Sequence, residues 1–392
     1  MGIYLDNSAT TYVDSRVRKE MEPFFSKDYG NPSSFHDMGL AAKNAIEDSR
    51  KKVAGILNAS PKEIIFTGSG TESINLAIKG VYRANRSRGN HIITTRTEHH
   101  AVLDSCRYLE ENEGAKITYL DVDRDGIINL DNLEKSITKD TILISIIYAN
   151  NEIGTIQPIA EIGKIAKKHS IVFHTDACQA GCSQDLNVKN LGVDLLTLNG
   201  SKIYGPKGTG MLFIKSGTKI HPIIHGGGQE FGLRSGTENV PGIVGFAKAL
   251  ETCQLSKEEE NKRLTELRDK LISGIQGSVP KTILNGHPTK RLPNNVNISF
   301  LDIEGEAILL HLNREGIYAS TGSACSSESL EPSYVITSLG LPHEVAHGSI
   351  RFSLGRQNTE NDIDHVLMVM PGIVKKLRMI SPVRVNEDEL RR

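Results

Sequence analysis

The sequence predicts an α/β protein in which a mainly parallel β-sheet is joined by a second, smaller α/β domain. Short apolar runs alternate with amphipathic segments, and strands that alternate with helices favour a parallel sheet. The chain also has 392 residues, more than a single hydrophobic core usually serves, so we expect two packed domains. We place the large domain at residues 15–255 and the small domain at residues 1–14 and 256–392.

Seven apolar runs bounded by turn-forming residues have the length and composition of buried strands. A helix from Glu72 to Asn85 follows the first run, so the turn from Gly68 to Thr71 (GSGT) lies at a helix start. A long polar helix is expected from Leu255 to Gly277, close to the boundary between the domains. The seven runs are, in chain order, IIFTG, HIITT, ITYLDV, ILISIIYA, IVFHTDA, DLLTLNG and GMLFI.

The overall charge and the apolar content argue against two classes of function. Lys plus Arg (46) nearly equals Asp plus Glu (47), which argues against a general nucleic-acid binder. The most apolar stretch, Ile142 to Ala149, is far shorter than the roughly 20 residues that cross a bilayer. The start, MGIYLDNSATT, has neither the basic nor the apolar region of an export signal. We therefore expect a cytosolic protein.

The cysteines are expected to be reduced thiols, because the chain is long and shows no export signal. His174, Cys178 and Cys182 are spaced so that three metal ligands could share one helical face. No fourth ligand follows, and Gly181 interrupts the helical pattern, so we expect no metal site. The five cysteines are Cys106, Cys178, Cys182, Cys253 and Cys325.

The GSGT turn is a candidate phosphate site, since the N-terminus of a helix has unpaired N–H groups and a favourable dipole. Taken alone, a Gly/Ser turn of this kind is more often only a turn and a helix cap. Whether the GSGT turn is a phosphate site therefore depends on the residues that follow the other strands.

Asp176 ends one predicted strand and Lys202 follows another, so both side chains are expected at the carboxyl edge of the sheet. A lysine and a carboxylate facing one ligand are what pyridoxal phosphate requires, because lysine forms the Schiff base and the carboxylate keeps the pyridinium nitrogen protonated. A lysine in a glycine-rich loop is usually only a surface lysine. Here the glycines around Lys202 favour close approach of the backbone to a cofactor. His99 or His100 is a candidate for stacking on it, although a lone histidine is more often structural.

Cys325 lies in STGSACSSESLEPS, a run of small polar residues that predicts a loop with an accessible thiol. The alternative is an incidental loop thiol. Further along, GSIRFSLGR supplies Arg351 and Arg356, and either could pair with a substrate carboxylate.

The sequence closely resembles the class I cysteine desulfurases of the NifS and IscS type, almost from end to end. Ten motifs occur in the order and approximate spacing of that family. They are YLDNSATT, NPSSFH, FTGSGTES, TEHHAVLD, ANNEIGTIQP, HTDACQA, SKIYGPKG, HGGGQEFGLRSGTENV, TGSACSS and SIRFSLGR.

The resemblance implies a fold-type I transferase that binds pyridoxal 5′-phosphate and forms a homodimer. It further implies conversion of L-cysteine to L-alanine, with sulfur passing to Cys325 as a persulfide. Catalysis is then expected of Lys202, Cys325 and His99, with His99 stacking on the cofactor. By the same comparison the other residues are Asp176 at the pyridinium nitrogen, Asn151 and Gln179 at the ring hydroxyl, Gly70, Thr71, Asn199 and Ser201 at the phosphate, Thr237 reaching that phosphate from the other subunit, and Arg351 with Asn7 at the substrate carboxylate.

Two positions depart from the family. Ser201 stands where many members have histidine, which makes one phosphate contact shorter and uncharged, and Phe231 stands where the family usually shows arginine. A selenocysteine lyase, an aminotransferase or a silent sulfur-relay subunit are the alternative functions. The sulfur acceptor stays open among an iron–sulfur scaffold, a tRNA-thiolation protein and a carrier protein.

Overall fold

The computed structural model describes residues 2–322 and 331–385, and its strands in those ranges form three sheets. All seven predicted strands are confirmed, and they make up the largest sheet. The strands are β1 (Ile3–Tyr4), β2 (Ile64–Thr67), β3 (His91–Thr95), β4 (Lys116–Leu120), β5 (Thr141–Ser145), β6 (Val172–Asp176), β7 (Leu195–Asn199), β8 (Gly210–Ile214), β9 (Thr282–Leu284), β10 (Asn295–Phe300), β11 (Ile317–Tyr318) and β12 (Ser349–Ser353).

The seven-stranded sheet has the order β2-β8-β7-β6-β5-β3-β4. Only β8 runs antiparallel to its neighbours, so the prediction of a mainly parallel sheet is confirmed. Strands β3, β5 and β8 are buried at every residue, which explains their nearly continuous apolar sequences. The remaining strands form a β12-β10-β9 sheet and a β1-β11 pair in the rest of the chain.

Helices cover the sheets on both sides, and the predicted helices are found with small shifts in their ends. Ser69 caps the helix that follows β2, which therefore begins two residues before the predicted Glu72. The long polar helix begins at Lys257 and not at Leu255, because Ser256 separates it from the preceding helix. The helices are α1 (Ser15–Met21), α2 (Pro23–Ser26), α3 (Asp37–Leu57), α4 (Gly70–Asn85), α5 (His100–Glu113), α6 (Leu130–Ser136), α7 (Ile159–Lys168), α8 (Val188–Leu191), α9 (Val240–Leu255), α10 (Lys257–Ser278), α11 (Gly305–Arg314), α12 (Tyr334–Ser338), α13 (His343–His347) and α14 (Glu360–Ile380).

The buried apolar residues form several clusters. The largest joins the seven-stranded sheet to α1, α3 and α9, while another joins α10, α11 and α14 to β10 and β12. Leu5 belongs to the second cluster, and β1 pairs in parallel with β11, so the N-terminal residues pack with the C-terminal third. The exact domain boundaries stay a prediction.

Two further observations concern metal binding and membrane insertion. His174 lies on strand β6, so the idea that it shares a helical face with Cys178 and Cys182 is wrong. Within residues 2–322 and 331–385, no helix combines the length and the apolar character needed to cross a membrane.

A buried ion pair fixes the glycine-rich segment 226–236 against strand β2. Arg50 donates to both carboxylate oxygens of Glu230 at 2.9 and 2.8 Å, and both side chains are almost fully buried. The guanidinium also lies between the rings of Phe66 and Phe231, at 5.1 and 5.0 Å from their centroids. The Phe231 ring therefore packs on this buried cation.

We expect Glu230→Gln to lower the free energy of unfolding by about 3–5 kcal/mol, because it leaves the Arg50 charge buried without its partner. The exposed pair Lys51–Asp48 (3.0 Å) offers a control, and Asp48→Asn is expected to cost less than about 1 kcal/mol. Denaturant unfolding of the two variants measures both values. Equal effects would contradict the structural role of the buried pair.

Candidate active site

A cavity of about 200 Å³ lies at the carboxyl edge of the large sheet. Its walls come mainly from residues that follow the ends of β2, β3, β5, β6 and β7, as expected for an α/β sheet. Nine of the residues predicted for the site lie on this one cavity. Its lining is Ser8, Ala9, Gly70, Thr71, Ile74, His99, Ile147, Asn151, Asp176, Cys178, Gln179, Asn199, Lys202 and Arg351.

Asp176 and Lys202 reach the cavity from neighbouring parallel strands. Asp176 is the last residue of β6 and is 4% exposed, and Lys202 lies in the short 3₁₀ turn Gly200–Lys202 directly after β7. The carboxylate accepts a hydrogen bond from the backbone N–H of Cys178 at 3.0 Å. The Lys202 ammonium donates to the carbonyl oxygens of Ser8 (2.8 Å) and Ala9. A carboxylate and an amine therefore face one enclosed space.

The opposite wall is the N-terminus of α4. Ser69 caps this helix by accepting from the backbone N–H of Glu72 at 3.1 Å, while the N–H groups of Gly70 and Thr71 find no acceptor among the described residues. A Cβ atom at position 70 would lie 2.8 Å from the Cys178 sulfur, so only glycine fits there. Unpaired N–H groups at a helix start suit a phosphate.

Asn199 borders the same end of the cavity and is oriented by Ser201. The backbone N–H and the hydroxyl of Ser201 both donate to the Asn199 side-chain oxygen, at 3.2 and 3.3 Å. Ser201 itself is not part of the cavity wall, so its direct phosphate contact stays a prediction.

His99 is the N-cap of α5, and its ring lies on the cavity. Its Nδ1 accepts a hydrogen bond from the backbone N–H of Ala101 at 3.0 Å, which leaves the proton of a neutral ring on Nε2. His100 instead packs against Tyr334, with ring centroids 4.9 Å apart. The structure thus brings His99, and not His100, to the candidate site.

Arg351 is 1% exposed and supplies positive charge to the cavity. It donates to Asp6 at 2.8 Å and to the Asn151 backbone oxygen at 3.1 Å, while its Nε has no partner among the described residues. The side-chain oxygen of Asn151 likewise has no partner within residues 2–322 and 331–385. Buried polar atoms normally have hydrogen-bond partners, so these two atoms indicate a polar ligand. Arg356, the other candidate, borders a different cavity.

Among the predicted residues that the structure describes, Asn7 and Thr237, in addition to Ser201, do not border this cavity. The Asn7 side chain donates to the Ser353 backbone oxygen at 2.9 Å and lies on an adjoining cavity that also contacts Lys202. Thr237 is exposed on the surface of its own chain, which is compatible with a contact made in another subunit. Cys325 lies outside the described residues.

The sequence analysis missed five residues of the wall. Ser8 and Ala9 bind Lys202 through backbone carbonyls, which leave no side-chain signal in a sequence. Ile74 and Ile147 read only as core residues, and Cys178 was considered only as a metal ligand.

Glu98 is a buried carboxyl next to the cavity. It accepts from the Thr95 hydroxyl at 2.9 Å and from the Ile147 N–H at 2.8 Å, and its other oxygen has no partner. Burial raises its pKa to about 8, so the group is neutral at pH 7.

A lysine and a buried carboxylate on one cavity, beside a helix N-terminus, are the groups that a pyridoxal-phosphate-dependent enzyme needs. Comparison with known proteins agrees, since the model of the aminotransferase class-V family matches residues 3–366. The chain therefore belongs to the aminotransferase class-V family.

Three individual proteins are similar to this chain over most of its length. "Cysteine desulfurase IscS" of Methanosarcina thermophila is 56% identical over 385 residues, which are 98% of this chain and 95% of that protein. A solved structure described as a NifS-like protein has a TM-score of 0.90 at 41% identity, and the match covers 96% of this chain and all of the other. A third, described as SspA in complex with cysteine, has a TM-score of 0.80 at 38% identity and covers 90% and 98% of the two chains.

The residues present fit pyridoxal phosphate, the cofactor of this family. Lys202, Asp176 and the start of α4 offer this cavity an amine, a carboxylate and unpaired N–H groups, which are the kinds of group that its aldehyde, ring nitrogen and phosphate require. The two unpartnered atoms, on Asn151 and Arg351, are further positions for polar groups of a ligand.

Replacing Glu98 by glutamine is expected to flatten the dependence of stability on pH. The folded protein holds the Glu98 proton to about pH 8, whereas an unperturbed carboxyl loses it near 4.5, so the stabilisation present at low pH is lost as the pH rises to 8. Glu98→Gln has no proton to lose and should gain on the wild type by a few kcal/mol between these pH values.

Denaturant unfolding from pH 4.5 to 8.5 measures this effect. Glu110→Gln, on the exposed face of α5, is the matched control and should leave the wild-type slope unchanged. Parallel curves for Glu98→Gln and the wild type would show that Glu98 is ionised in the folded protein.

Proposed function

We propose that the protein is a pyridoxal-phosphate-dependent cysteine desulfurase, which converts L-cysteine to L-alanine and passes the sulfur to Cys325 as a persulfide. The observation that carries this proposal is the presence of Lys202, Asp176 and Arg351 on one cavity. An amino acid needs an amine-exchanging centre and a cation for its carboxylate, and these side chains supply both. The identity of 56% with a cysteine desulfurase supports L-cysteine as the substrate.

In the proposed reaction, several residues of the chain have separate roles. When bound, pyridoxal phosphate withdraws electrons from the α-carbon of the amino acid. Asp176 would hold a proton on the ring nitrogen through its negative charge, and His99 would stack on the ring. The Lys202 amine would be placed to take a proton from the α-carbon of the substrate and to return one to the product.

Arg351 orients the substrate. Among the described residues its Nε has no hydrogen-bond partner, so this atom could donate to a substrate carboxylate. The burial of Arg351 excludes water and strengthens that pairing.

The sulfur step requires a thiolate from outside the described residues. The Cys325 thiolate would attack the substrate sulfur, so that an S–S bond forms as the C–S bond breaks, and the electron pair of the broken bond would stay with the substrate carbon, which takes up a proton to give alanine. The persulfide then transfers sulfur to an acceptor, for which we propose an iron–sulfur scaffold protein. The cytosol stays the predicted location.

We expect Cys325→Ser to reduce alanine release from L-cysteine under reductant by at least about 100-fold, because serine cannot accept the sulfur. Lys202→Ala should be equally impaired, because it removes the amine that holds the cofactor and moves protons. The assay compares cofactor-loaded proteins, with visible absorbance of the cofactor as the control for loading of Cys325→Ser.

The outcomes separate the alternatives. Wild-type alanine release by Cys325→Ser would favour a lyase in which Cys325 is not the acceptor. Absence of alanine from the wild type as well would overturn L-cysteine as the substrate.

We also propose that the protein is a homodimer in which Thr237 reaches the cofactor phosphate of the other subunit. Large aromatic side chains of α2 and of the segment between α2 and α3 are exposed in the single chain: Phe25 is 63%, Tyr29 66% and Phe35 97% exposed. Such a group of exposed aromatic residues is typical of a protein interface.

Phe35→Glu is expected to raise the dimer dissociation constant at least about 10-fold, because it places a charge in an apolar contact. Leu310→Glu is the matched control, since Leu310 is 68% exposed on α11, away from that group. Sedimentation equilibrium measures both variants. An unchanged dimer in Phe35→Glu would exclude this surface as the interface.

A further inference from the structure

Tyr334, in the first turn of α12, contacts both residues that flank His99 in the sequence. Its hydroxyl donates to the backbone carbonyl oxygen of Glu98 at 2.6 Å, and its ring packs edge-on against the ring of His100, with centroids 4.9 Å apart. Glu98 is fully buried, so its carbonyl oxygen depends on donors from the protein. One side chain from the C-terminal third of the chain therefore holds the backbone on both sides of a residue that borders the cofactor cavity.

The position of the His99 ring depends on this stretch of backbone. His99 is the N-cap of α5, and its Nδ1 accepts from the backbone N–H of Ala101 at 3.0 Å, so the ring follows the start of the helix. A shift of the Glu98 carbonyl or of His100 would therefore displace the ring from the cavity wall. Tyr334 opposes both shifts, because it contacts both residues.

Ser333, the residue before Tyr334, reaches the cavity wall at a second point. Its hydroxyl caps α12 by accepting from the Ile336 N–H at 3.2 Å, and it donates to a carboxyl oxygen of Glu152 at 2.6 Å. Glu152 is buried and directly follows Asn151, whose side chain borders the cavity. Two consecutive residues of one turn thus contact the neighbours of two cavity residues.

The backbone of Glu152 is held as well as its side chain. Its N–H donates to the side-chain oxygen of Asn150 at 2.8 Å, and its carbonyl oxygen accepts from the side-chain amides of Asn295 and Asn297, both at 3.1 Å. With the backbone held at these points, the bond to Ser333 fixes the remaining freedom of the Glu152 side chain.

Helix α12 is packed firmly enough to keep these contacts in place. Val335 and Ile336, which follow Tyr334, are fully buried and belong to an apolar cluster that includes Ile153. Ile153 directly follows Glu152, so the turn and this part of the cavity wall share one core. Close packing of this kind leaves side chains few alternative positions.

We propose that Tyr334 and Ser333 are positioning residues for the bound cofactor. Tyr334 fixes the ring of His99 and Ser333 fixes the side chain of Asn151, in each case through residues next to them in the sequence. Neither Tyr334 nor Ser333 borders the cavity, so both act without touching the ligand. This inference rests on the proposed stacking of His99 on pyridoxal phosphate and on the proposed contact of Asn151 with its ring hydroxyl.

Tyr334→Phe removes the hydroxyl and keeps the ring. Because the Glu98 carbonyl loses its donor and the His99 ring loses its fixed position, we expect the dissociation constant of pyridoxal phosphate to rise at least about 3-fold. The visible absorbance band of the bound cofactor should shift as well, since it responds to stacking on the ring. Equilibrium dialysis of the cofactor-loaded protein against a series of pyridoxal phosphate concentrations, followed by this absorbance, measures both. The experiment uses no substrate, so its outcome does not depend on the desulfurase assignment.

A double-mutant cycle with His99→Ala separates this role from a general loss of structure. If Tyr334 acts through His99, Tyr334→Phe should change the dissociation constant by less than about 2-fold in the His99→Ala background. Tyr108→Phe is the matched control. Tyr108 lies on α5 and is 43% exposed, so loss of its hydroxyl should leave the affinity and the absorbance unchanged.

Ser333→Ala and Asn151→Ala form the second cycle. Ser333→Ala removes the bond to Glu152, and it should raise the same dissociation constant at least about 3-fold in the wild type but less than about 2-fold in the Asn151→Ala background. Ser333→Thr keeps a hydroxyl that can cap the helix and donate to Glu152, so it should restore the wild-type affinity.

Three results would overturn the inference, and each has a different meaning. An unchanged dissociation constant and absorbance in Tyr334→Phe and Ser333→Ala would show that this turn does not position the cofactor site. Equal factors in both backgrounds of a cycle would assign that residue's effect to the fold in general. If His99→Ala itself had no effect on affinity or absorbance, the proposed stacking of His99 would be wrong, and the role of Tyr334 would fall with it.

Discussion

The side-by-side parallel pairing of β6 and β7 is the constraint on which the site depends. Their register pairs Asp176 with Thr197, so the end of β6 and the turn after β7 open at the same edge. Neighbouring parallel strands have their carboxyl ends at the same edge of a sheet. Asp176 and Lys202 therefore lie at one edge without any need for a contact between the loops that carry them. The antiparallel strand β8 fills the gap between β7 and β2, which leaves the start of α4 at the same edge.

The N-terminal segment closes this edge and joins it to the C-terminal third. Residues 6–11 contact both parts of the molecule: Asp6 pairs with Arg351, and the backbone N–H of Thr11 donates to the Ser201 carbonyl at 2.8 Å. Ser8 and Ala9 hold the Lys202 ammonium between these two contacts. The same short segment therefore positions the cofactor lysine and the arginine that we assign to the substrate.

Sequence patterns predicted the sheet and most of the cavity because both depend on local signals. Apolar runs mark buried strands; Asp176 ends one of them, and Lys202 and Gly70 lie three residues after the ends of two others. What the sequence could not supply is contact through the backbone or over long separations. Ser8 and Ala9 act through carbonyls, and the stacking of Phe231 on Arg50 joins residues 181 positions apart (231 minus 50).

The charges around Asp176 explain how one carboxylate can dominate a buried site. Glu98 adjoins the same cavity, but burial and the Asp176 charge raise its pKa to about 8, so it adds no second negative charge at pH 7. His174 lies two residues before Asp176 on the same face of β6, between the hydroxyls of Ser145 and Thr197 at 2.8 and 3.0 Å. Burial lowers the pKa of His174 to about 4, so this ring is neutral as well. Because Glu98 and His174 are both uncharged, neither of them repels or neutralises the Asp176 carboxylate. The carboxylate therefore acts mainly on whatever occupies the cavity.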